Sequence, residues 1–354
     1  MASVLESLNA ALHQAMDANP KVYLLGEDIL DPYGGAFKVT RGLSSTFPDC
    51  LLATPISEAG ITGIASGMAL RGLRPVVEIM FGDFTTLIAD QLINHAAKFR
   101  GMYNDQVRVP LVVRTPMGGR RGYGPTHSQT LEKLFLGVPG LQVLAPCALS
   151  QTPTNVDPSP LAPGSPGDLL LRTILYSEDP VLFVENKLLY PLVIQDESSL
   201  PEFSIQTIMP AGLVPEARAP TYRLAIKDAP ASSVTIAAYG YMAELSRQAV
   251  RALAYQHEIF ADLIIPTRLS PYDIQPILAS VQQSGRLLTV EEGTLTLGWG
   301  AEVIARISQA LGSGLKATGR VAALEEPVPA SGPLETAVLP GIEVIIREVI
   351  QILS

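Results

Sequence analysis

The 354-residue sequence has few cysteines, few charges and no long apolar segment, and each shortage narrows what the chain can be. Its two cysteines, Cys50 and Cys147, form neither a CxxC pair nor a metal-binding spacing, so we expect reduced thiols in a cytoplasmic protein. No stretch approaches the ~18 apolar residues of a membrane-spanning helix, which excludes a membrane protein. The net charge is −9 and no Lys or Arg run occurs, which argues against nucleic-acid binding.

The scarcity of charge raises a question about solubility. Charged residues make up 17% of the chain, against ~25% in typical soluble domains, while hydrophobic residues make up 47%. The first 20 residues lack the basic segment and continuous apolar core of a signal peptide, and their apolar residues recur at helical spacing. With membrane insertion excluded, we expect partner chains to cover much of the surface, since obligate interfaces are apolar.

Short β-type runs alternate with longer helical patterns in both halves of the chain, a rhythm typical of βαβ units. It predicts an α/β fold with two parallel-sheet domains, at 1–191 and 234–354, joined by a linker at 192–233. A Pro- and Ser-rich stretch at 148–167 is predicted to be an inserted surface loop. The expected strands are 22–26, 75–79, 110–114, 141–145, 181–185, 234–239, 261–265 and 286–290; the expected helices include 60–71, 87–100, 243–256, 272–284 and 300–311.

No self-contained catalytic motif is present, since Walker A, GxSxG, HExxH and GxGxxG patterns are all missing. One candidate is Glu58, which follows a short apolar segment and opens a helix rich in Gly and Ala. Small residues there let another backbone approach closely. The alternative is an acid placed at a helix N-terminus for its dipole, with Ser57 as the cap.

A Gly-rich loop at 120–129 delivers His127, a side chain that can titrate near neutral pH. The alternative is a surface histidine that caps a helix starting near Ser128. Phe81 and Phe84, at a strand end, are placed either to stack on a flat ring or to pack in the core. Glu291 and Glu292 close another strand, where they either make a polar contact or merely end it.

These pieces, in this order, resemble the β subunits of the E1 component of 2-oxo acid dehydrogenase complexes, which are transketolase-like thiamine diphosphate enzymes. The resemblance covers nearly the whole chain and implies a transketolase-like pyrimidine-binding domain followed by a transketolase C-terminal-like domain. It rests on segments that include VYLLGEDILDPYGGAFKVTRGL, TPISEAGITGIASGMALRGLRPVVEIMF, VPLVVRTPMGGRRGYGPTHSQTLEKLF, DPVLFVENKLLYP and RLSPYDIQPILASVQQSGRLLTVEEGTLTLGWG.

The resemblance implies a role for three side chains. Glu58 matches the glutamate that hydrogen-bonds N1′ of the cofactor's aminopyrimidine and so favours the imino tautomer, which takes the proton from thiazolium C2. Phe84 matches the aromatic residue that packs on the aminopyrimidine, and His127 the histidine that faces the substrate and assists acyl transfer to lipoamide. The C-terminal domain matches one that serves mainly in subunit assembly.

The family also implies partners and ions. A GDG motif, which holds Mg²⁺ and diphosphate in these enzymes, is missing here, so we expect both to be held by an E1 α subunit in an α₂β₂ heterotetramer. No metal ligands are assigned to side chains of this chain. Many relatives hold a structural K⁺ through carbonyls near the positions of Leu111, Ile174, Leu175, Ser177 and Asp179, although Ser177 stands where some members have Asp.

The resulting hypothesis is an E1 β subunit, active only with its α subunit, that decarboxylates a 2-oxo acid and passes the acyl group to a lipoyl-bearing E2 acyltransferase. Pyruvate is the first choice of substrate, with branched-chain 2-oxo acids or acetoin as rivals. A split transketolase-like carboligase half would keep the fold and change the acceptor to an aldehyde. A non-catalytic scaffold is the third hypothesis, and retention of Glu58, Phe84 and His127 together argues against it.

Overall fold

The computed structural model describes residues 2–152, 161–210 and 219–354. It contains two α/β units, each built on a mostly parallel sheet, which confirms the predicted fold class. Helices flank both sheets, and none in the described part of the chain is long and apolar enough to cross a membrane. Cys50 and Cys147 are both free thiols.

The first sheet has seven strands in the order β11-β5-β6-β4-β3-β1-β2. All its neighbouring pairs are parallel except β11 with β5. The central strands are almost entirely buried on both faces, and their sequences are mostly apolar with a few charged residues. The strands are β1 Val22–Gly26, β2 Leu51–Ala53, β3 Arg74–Glu78, β4 Val112–Met117, β5 Gln142–Leu144, β6 Val181–Asn186 and β11 Arg268–Ser270.

Helices α1 Val4–Ala18 and α5 Pro166–Tyr176 pack together and share one apolar core with the first sheet. The predicted N-terminal amphipathic helix is confirmed, and it begins with a capping box between Ser3 and Glu6. Helix α3 Glu58–Leu70 packs on β3 and contributes to a second core, which runs on into the other unit through Trp299. The two units therefore share apolar packing. The short helices of the first unit are α2 Leu43–Thr46 and α4 Ala97–Met102.

The second sheet has six strands in the order β13-β12-β9-β10-β8-β7. Two of them, β7 and β8, lie inside 192–233, so the expectation of a plain linker there is wrong for these residues. They pair with antiparallel geometry at the sheet edge, so they lack the βαβ rhythm on which the prediction relied. The strands are β7 Phe203–Ile208, β8 Thr221–Ile226, β9 Val234–Ala238, β10 Ala261–Pro266, β12 Arg286–Thr294 and β13 Ala317–Ala323; the helices are α6 Gly240–His257, α7 Gln275–Ser284, α8 Trp299–Leu311, α9 Gly332–Val338 and α10 Ile342–Leu353.

Two further expectations need revision. The helix predicted over 87–100 is a 3-10 segment, Gly82–Ile88, followed by a π-helical segment, Gln91–Ala96, that leads into α4. The loop predicted over 148–167 lies partly outside the described residues, because 153–160 are not among them. Its last residues are not loop, since Ser165 caps α5 and the helix starts at Pro166, where proline is favoured.

A buried ion cluster sits at the centre of the first sheet. Arg114 on β4 is 1% exposed and contacts carboxylates on both neighbouring strands. Its Nε and Nη2 donate to the two oxygens of Glu185 at 2.9 and 2.6 Å, and Nη1 donates to Glu78. Tyr190 donates a further hydrogen bond of 2.6 Å to Glu185. Burial raises the pKa of Glu78 while Arg114 acts in the opposite direction, so both carboxylates depend on the one cation.

We predict that Arg114→Met lowers the free energy of unfolding by about 3–5 kcal/mol, because it leaves two buried carboxylates without a cation. Arg251→Ala is the matched control: this exposed arginine lies 3.9 Å from Glu202, and its loss should cost less than about 1 kcal/mol. Urea unfolding followed by far-UV circular dichroism measures both. Equal losses in the two variants would contradict the assigned role of Arg114.

Candidate active site

The carboxyl ends of five parallel strands meet at one edge of the first sheet, the place where open α/β sheets bind ligands. The segments after these strands carry the predicted site residues and several others. Helix α3, which begins at Glu58, packs against the Gly82–Ile88 segment that holds Phe84. The side chains at this edge are Glu27 after β1, Glu58 after β2, Phe81 and Phe84 after β3, His127 after β4 and Lys187 after β6.

Glu58, the first residue of α3, is a buried residue with 7% of its surface exposed. It makes no hydrogen bond or ion pair within the described ranges, and Ser57 forms no side-chain cap. Burial raises the pKa of the nearby Glu27, and the negative charge of Glu58 raises it further. Neither carboxylate oxygen is shut off from solvent, so each is open to accept a hydrogen bond from a molecule bound at this edge.

Phe84 and His127 are brought together by an aromatic cluster. The imidazole of His127 lies edge-on to Phe84 and Phe81, with centroid separations of 5.3 and 4.7 Å. Tyr123 meets Phe81 at 5.8 Å. His127 Nδ1 lies 2.9 Å from Thr126 Oγ1. No helix begins at Ser128, so His127 does not cap one; the imidazole belongs to this half-buried cluster.

Lys187 binds the backbone of the loop that carries His127. Its fully buried ammonium donates hydrogen bonds of 2.5 Å to the carbonyl oxygens of Gly118 and His127. It also faces the ring of Phe81 at 5.3 Å. Burial lowers the pKa of Lys187 to about 8, while the negative charge of Asp83 opposes that shift.

The second unit fastens the same loop through two buried carboxylates. Glu292, at the end of β12, accepts hydrogen bonds from the Gly119 amide at 2.7 Å and from Asn186 Nδ2 at 2.9 Å. Glu335 on α9 accepts from the Arg120 amide at 2.6 Å and from the Gly122 amide at 3.1 Å. Glu292 therefore makes a polar contact rather than merely ending a strand.

The loop needs an unusual backbone to reach these carboxylates. Gly118 has φ +94°, and a Cβ there would lie 2.4 Å from Asn186 Nδ2. Arg120 also has positive φ, at +67°, a conformation that costs free energy for a residue with a side chain. The hydrogen bonds to Glu292 and Glu335 hold the strained turn.

Comparisons with known proteins identify the family of this chain. The family model "Transketolase, pyrimidine binding domain" matches residues 1–156, and "Transketolase, C-terminal domain" matches 224–345. The pyruvate dehydrogenase E1 component subunit beta-1, mitochondrial, of Arabidopsis thaliana is 36% identical over 98% of this chain and 87% of its own length. The chain belongs to the family of E1 β subunits of 2-oxo acid dehydrogenases.

Other relatives in the family differ in their named substrates. The acetoin:2,6-dichlorophenolindophenol oxidoreductase subunit beta of Cupriavidus necator is 34% identical, over 96% of this chain and 94% of its own. The 3-methyl-2-oxobutanoate dehydrogenase subunit beta of Mycobacterium tuberculosis is 33% identical, over 96% and 88%. A split-gene transketolase, described as an inactive β4 tetramer, shares the fold with a TM-score of 0.68, 99% and 98% coverage and 16% identity.

The family implies thiamine diphosphate. Glu58 offers the acceptor that an aminopyrimidine nitrogen needs, and aromatic faces lie in the neighbouring segment. Across the described residues, no group of three or more His, Cys, Asp or Glu side chains is arranged to hold a metal ion. Asp83, the acid of a Gly-Asp pair, accepts a hydrogen bond of 2.8 Å from Gln129.

Sequence reasoning missed the residues that support the E1 β site. Lys187 directly follows a parallel strand, a position that marks the ligand edge, but a single lysine after a strand has no motif. Glu335 gave no signal, because its partners lie more than 200 residues earlier in the chain. Glu132, fully buried and bonded to Tyr239 of the second unit, was also missed.

The burial of Glu132 makes the free energy of unfolding depend on pH. Burial raises its pKa to about 7, Tyr239 opposes the shift, and the charges of Glu291 and Glu292 add to it. Since the folded state holds this proton more tightly than the unfolded chain, the contribution is complete below about pH 4.5 and lost as pH rises through 7. Glu132→Gln should therefore gain stability relative to wild type from pH 5 to 8, by up to roughly 3 kcal/mol.

Urea unfolding of the two proteins at half-unit pH steps measures this difference. Glu343→Gln, which neutralises an exposed acid in the first turn of α10, is the matched control and should follow wild type. A wild-type-minus-Gln difference that stays constant between pH 5 and 8 would show that Glu132 does not titrate in that range.

Proposed function

We propose that this chain is the β half of a thiamine diphosphate-dependent 2-oxo acid dehydrogenase E1, with pyruvate as substrate and acyl transfer to lipoamide. The observation that carries the proposal is a carboxylate at Glu58 that no side chain or backbone donor of the described residues occupies, at the same sheet edge as the Phe84–His127 pair. Relatives named for pyruvate, acetoin and 3-methyl-2-oxobutanoate are 36, 34 and 33% identical, so acetoin and branched-chain 2-oxo acids are the alternative substrates.

Each site residue then has a chemical task. The bound cofactor supplies a thiazolium ring that accepts the electron pair left when a 2-oxo acid loses CO₂. Glu58 holds a proton at N1′ of the aminopyrimidine, Phe84 packs on that ring, and His127 stabilises negative charge on the substrate side and assists acyl transfer. Lys187, Glu292 and Glu335 are positioning residues, since they touch the His127 loop rather than the reacting atoms.

The surface beside Glu58 supports a split site. Ile56, two residues before Glu58, is 82% exposed; Ile64 on α3 and Leu87 in the segment packed against α3 are 61% and 52% exposed, so apolar side chains of these elements lie in water. On α3, a Cβ at Gly67 would meet no atom within 4 Å. We assign this face to an E1 α subunit that holds Mg²⁺ and the diphosphate in an α₂β₂ assembly, working in the cytoplasm with a lipoyl-bearing E2.

We expect Glu58→Ala, assembled with an α chain from the same source, to lose at least about 10²-fold in pyruvate decarboxylation, because the N1′ proton has no acceptor. Reduction of 2,6-dichlorophenolindophenol with pyruvate measures the step without lipoamide. Glu343→Gln should keep wild-type turnover. Near-normal turnover of Glu58→Ala would remove this carboxylate from the mechanism, and product from an aldehyde acceptor but not from lipoamide would favour the carboligase.

The split site gives a second test. Isothermal titration of the purified chain with thiamine diphosphate and Mg²⁺ should show no saturable binding, whereas the assembly with α should bind. The reason is that the chain offers contacts to the pyrimidine end alone. Tight binding by the chain without a partner would refute the division of the site.

A further inference from the structure

The C-terminus of helix α5 presents backbone carbonyls to the side chain of Arg74, which lies on strand β3. Arg74, the first residue of β3, donates from Nε to the Ile174 carbonyl and from Nη2 to the Ser177 carbonyl, both at 2.5 Å. Ile174 lies in the last turn of α5, and Ser177 is its C-cap. Carbonyls at a helix C-terminus lack intrahelical donors and carry the negative end of the helix dipole, so a cation is stabilised there.

These carbonyls belong to the set that the family resemblance assigned to K⁺. Two others of that set are also occupied within the chain: the Leu111 carbonyl accepts from the Val181 amide at 2.8 Å, and the Asp179 carbonyl accepts from Ser177 Oγ at 2.9 Å. Four of the five carbonyl oxygens in that set, all except that of Leu175, are thus engaged by donors of the protein itself. The residues present do not fit a bound K⁺.

The guanidinium suits this position better than a simple charge would. Nε and Nη2 are neighbouring donors of one planar group, so they reach two carbonyls at once in a fixed geometry. Two more arginines fix the residues that follow α5: Arg108 Nε donates to Glu178 at 2.9 Å, and Arg100 Nη1 donates to Asp179 at 2.9 and 3.1 Å. The turn at 177–179 is held by three cationic side chains.

We propose that the Arg74 guanidinium takes the place of a structural monovalent cation, so that this chain keeps the α5 C-terminus in position without binding K⁺. The charge is part of the polypeptide and stays at any salt composition. Arginine remains protonated throughout the physiological pH range, so its charge is permanent. The inference does not depend on the proposed catalytic activity, because it concerns the stability of the fold.

The test compares thermal unfolding in potassium, sodium and tetramethylammonium chloride at equal ionic strength, on the full chain in the assembly in which it purifies. Wild type should unfold at the same temperature in all three salts. Arg74→Ala vacates the carbonyls, so it should unfold several degrees lower in tetramethylammonium and regain part of that loss, saturably, with K⁺. Rubidium-86 dialysis should then show more bound ion in Arg74→Ala than in wild type.

Arg74→Lys keeps the positive charge but replaces the planar guanidinium with a single ammonium group. It should unfold at a temperature between those of wild type and Arg74→Ala, and K⁺ should not change that temperature. Arg251→Ala, at an exposed arginine, is the control for loss of charge and should behave as wild type. A saturable, K⁺-specific rise in the wild-type unfolding temperature would overturn the proposal, and this holds even if the alanine variant does not fold. The proposal would also be overturned if Arg74→Ala folded and its unfolding temperature did not change with K⁺.

Discussion

The structure depends on carboxylates of the second unit that accept hydrogen bonds from backbone amides of the first. Glu292 and Glu335 are both nearly fully buried and both bind the 118–122 turn, whose left-handed backbone would otherwise be unfavourable. A charged acceptor makes a stronger hydrogen bond than a neutral one, and burial strengthens it again. The resemblance implied that the C-terminal domain serves mainly in assembly; these contacts give it a part in shaping the loop that carries His127.

The predictable part of the molecule is the part with local signals. The strand over β1 was predicted at its true bounds, and those of β3 and β6 within one residue, because buried parallel strands are continuous apolar runs between turn residues. The antiparallel strands β7 and β8 were not predicted because neither is a continuous buried run: in β7 only Phe203 is buried, and in β8 buried and half-buried residues are mixed. The π-helical segment before α4 escaped because its side-chain pattern looks α-helical.

The candidate site was predictable to the same extent. Glu58, Phe84 and His127 stand in segments that resemble those of a known family, and their roles come from that resemblance; the residues alone left a structural alternative open for each. Their support is nonlocal: Lys187 is 60 residues from the carbonyl it binds, and Glu335 is 215 residues from Arg120. Nor does composition reveal Arg74, whose partners lie 100 and 103 residues away. Many of the few charged side chains of this protein form ion pairs or hydrogen bonds inside the fold, so even fewer of them lie on its surface.

One feature of the sheet topology bears on how the protein is made. Strand β11 comes from the second half of the chain, yet it pairs with β5 and covers the edge of the first sheet. A ribosome-bound chain that has released only the first unit would present an open β5 edge, and unpaired edges recruit other strands. The seventh strand of the first sheet is therefore absent until Arg268–Ser270 have been synthesised, so the sheet nearest the N-terminus needs the second half of the chain for its completion.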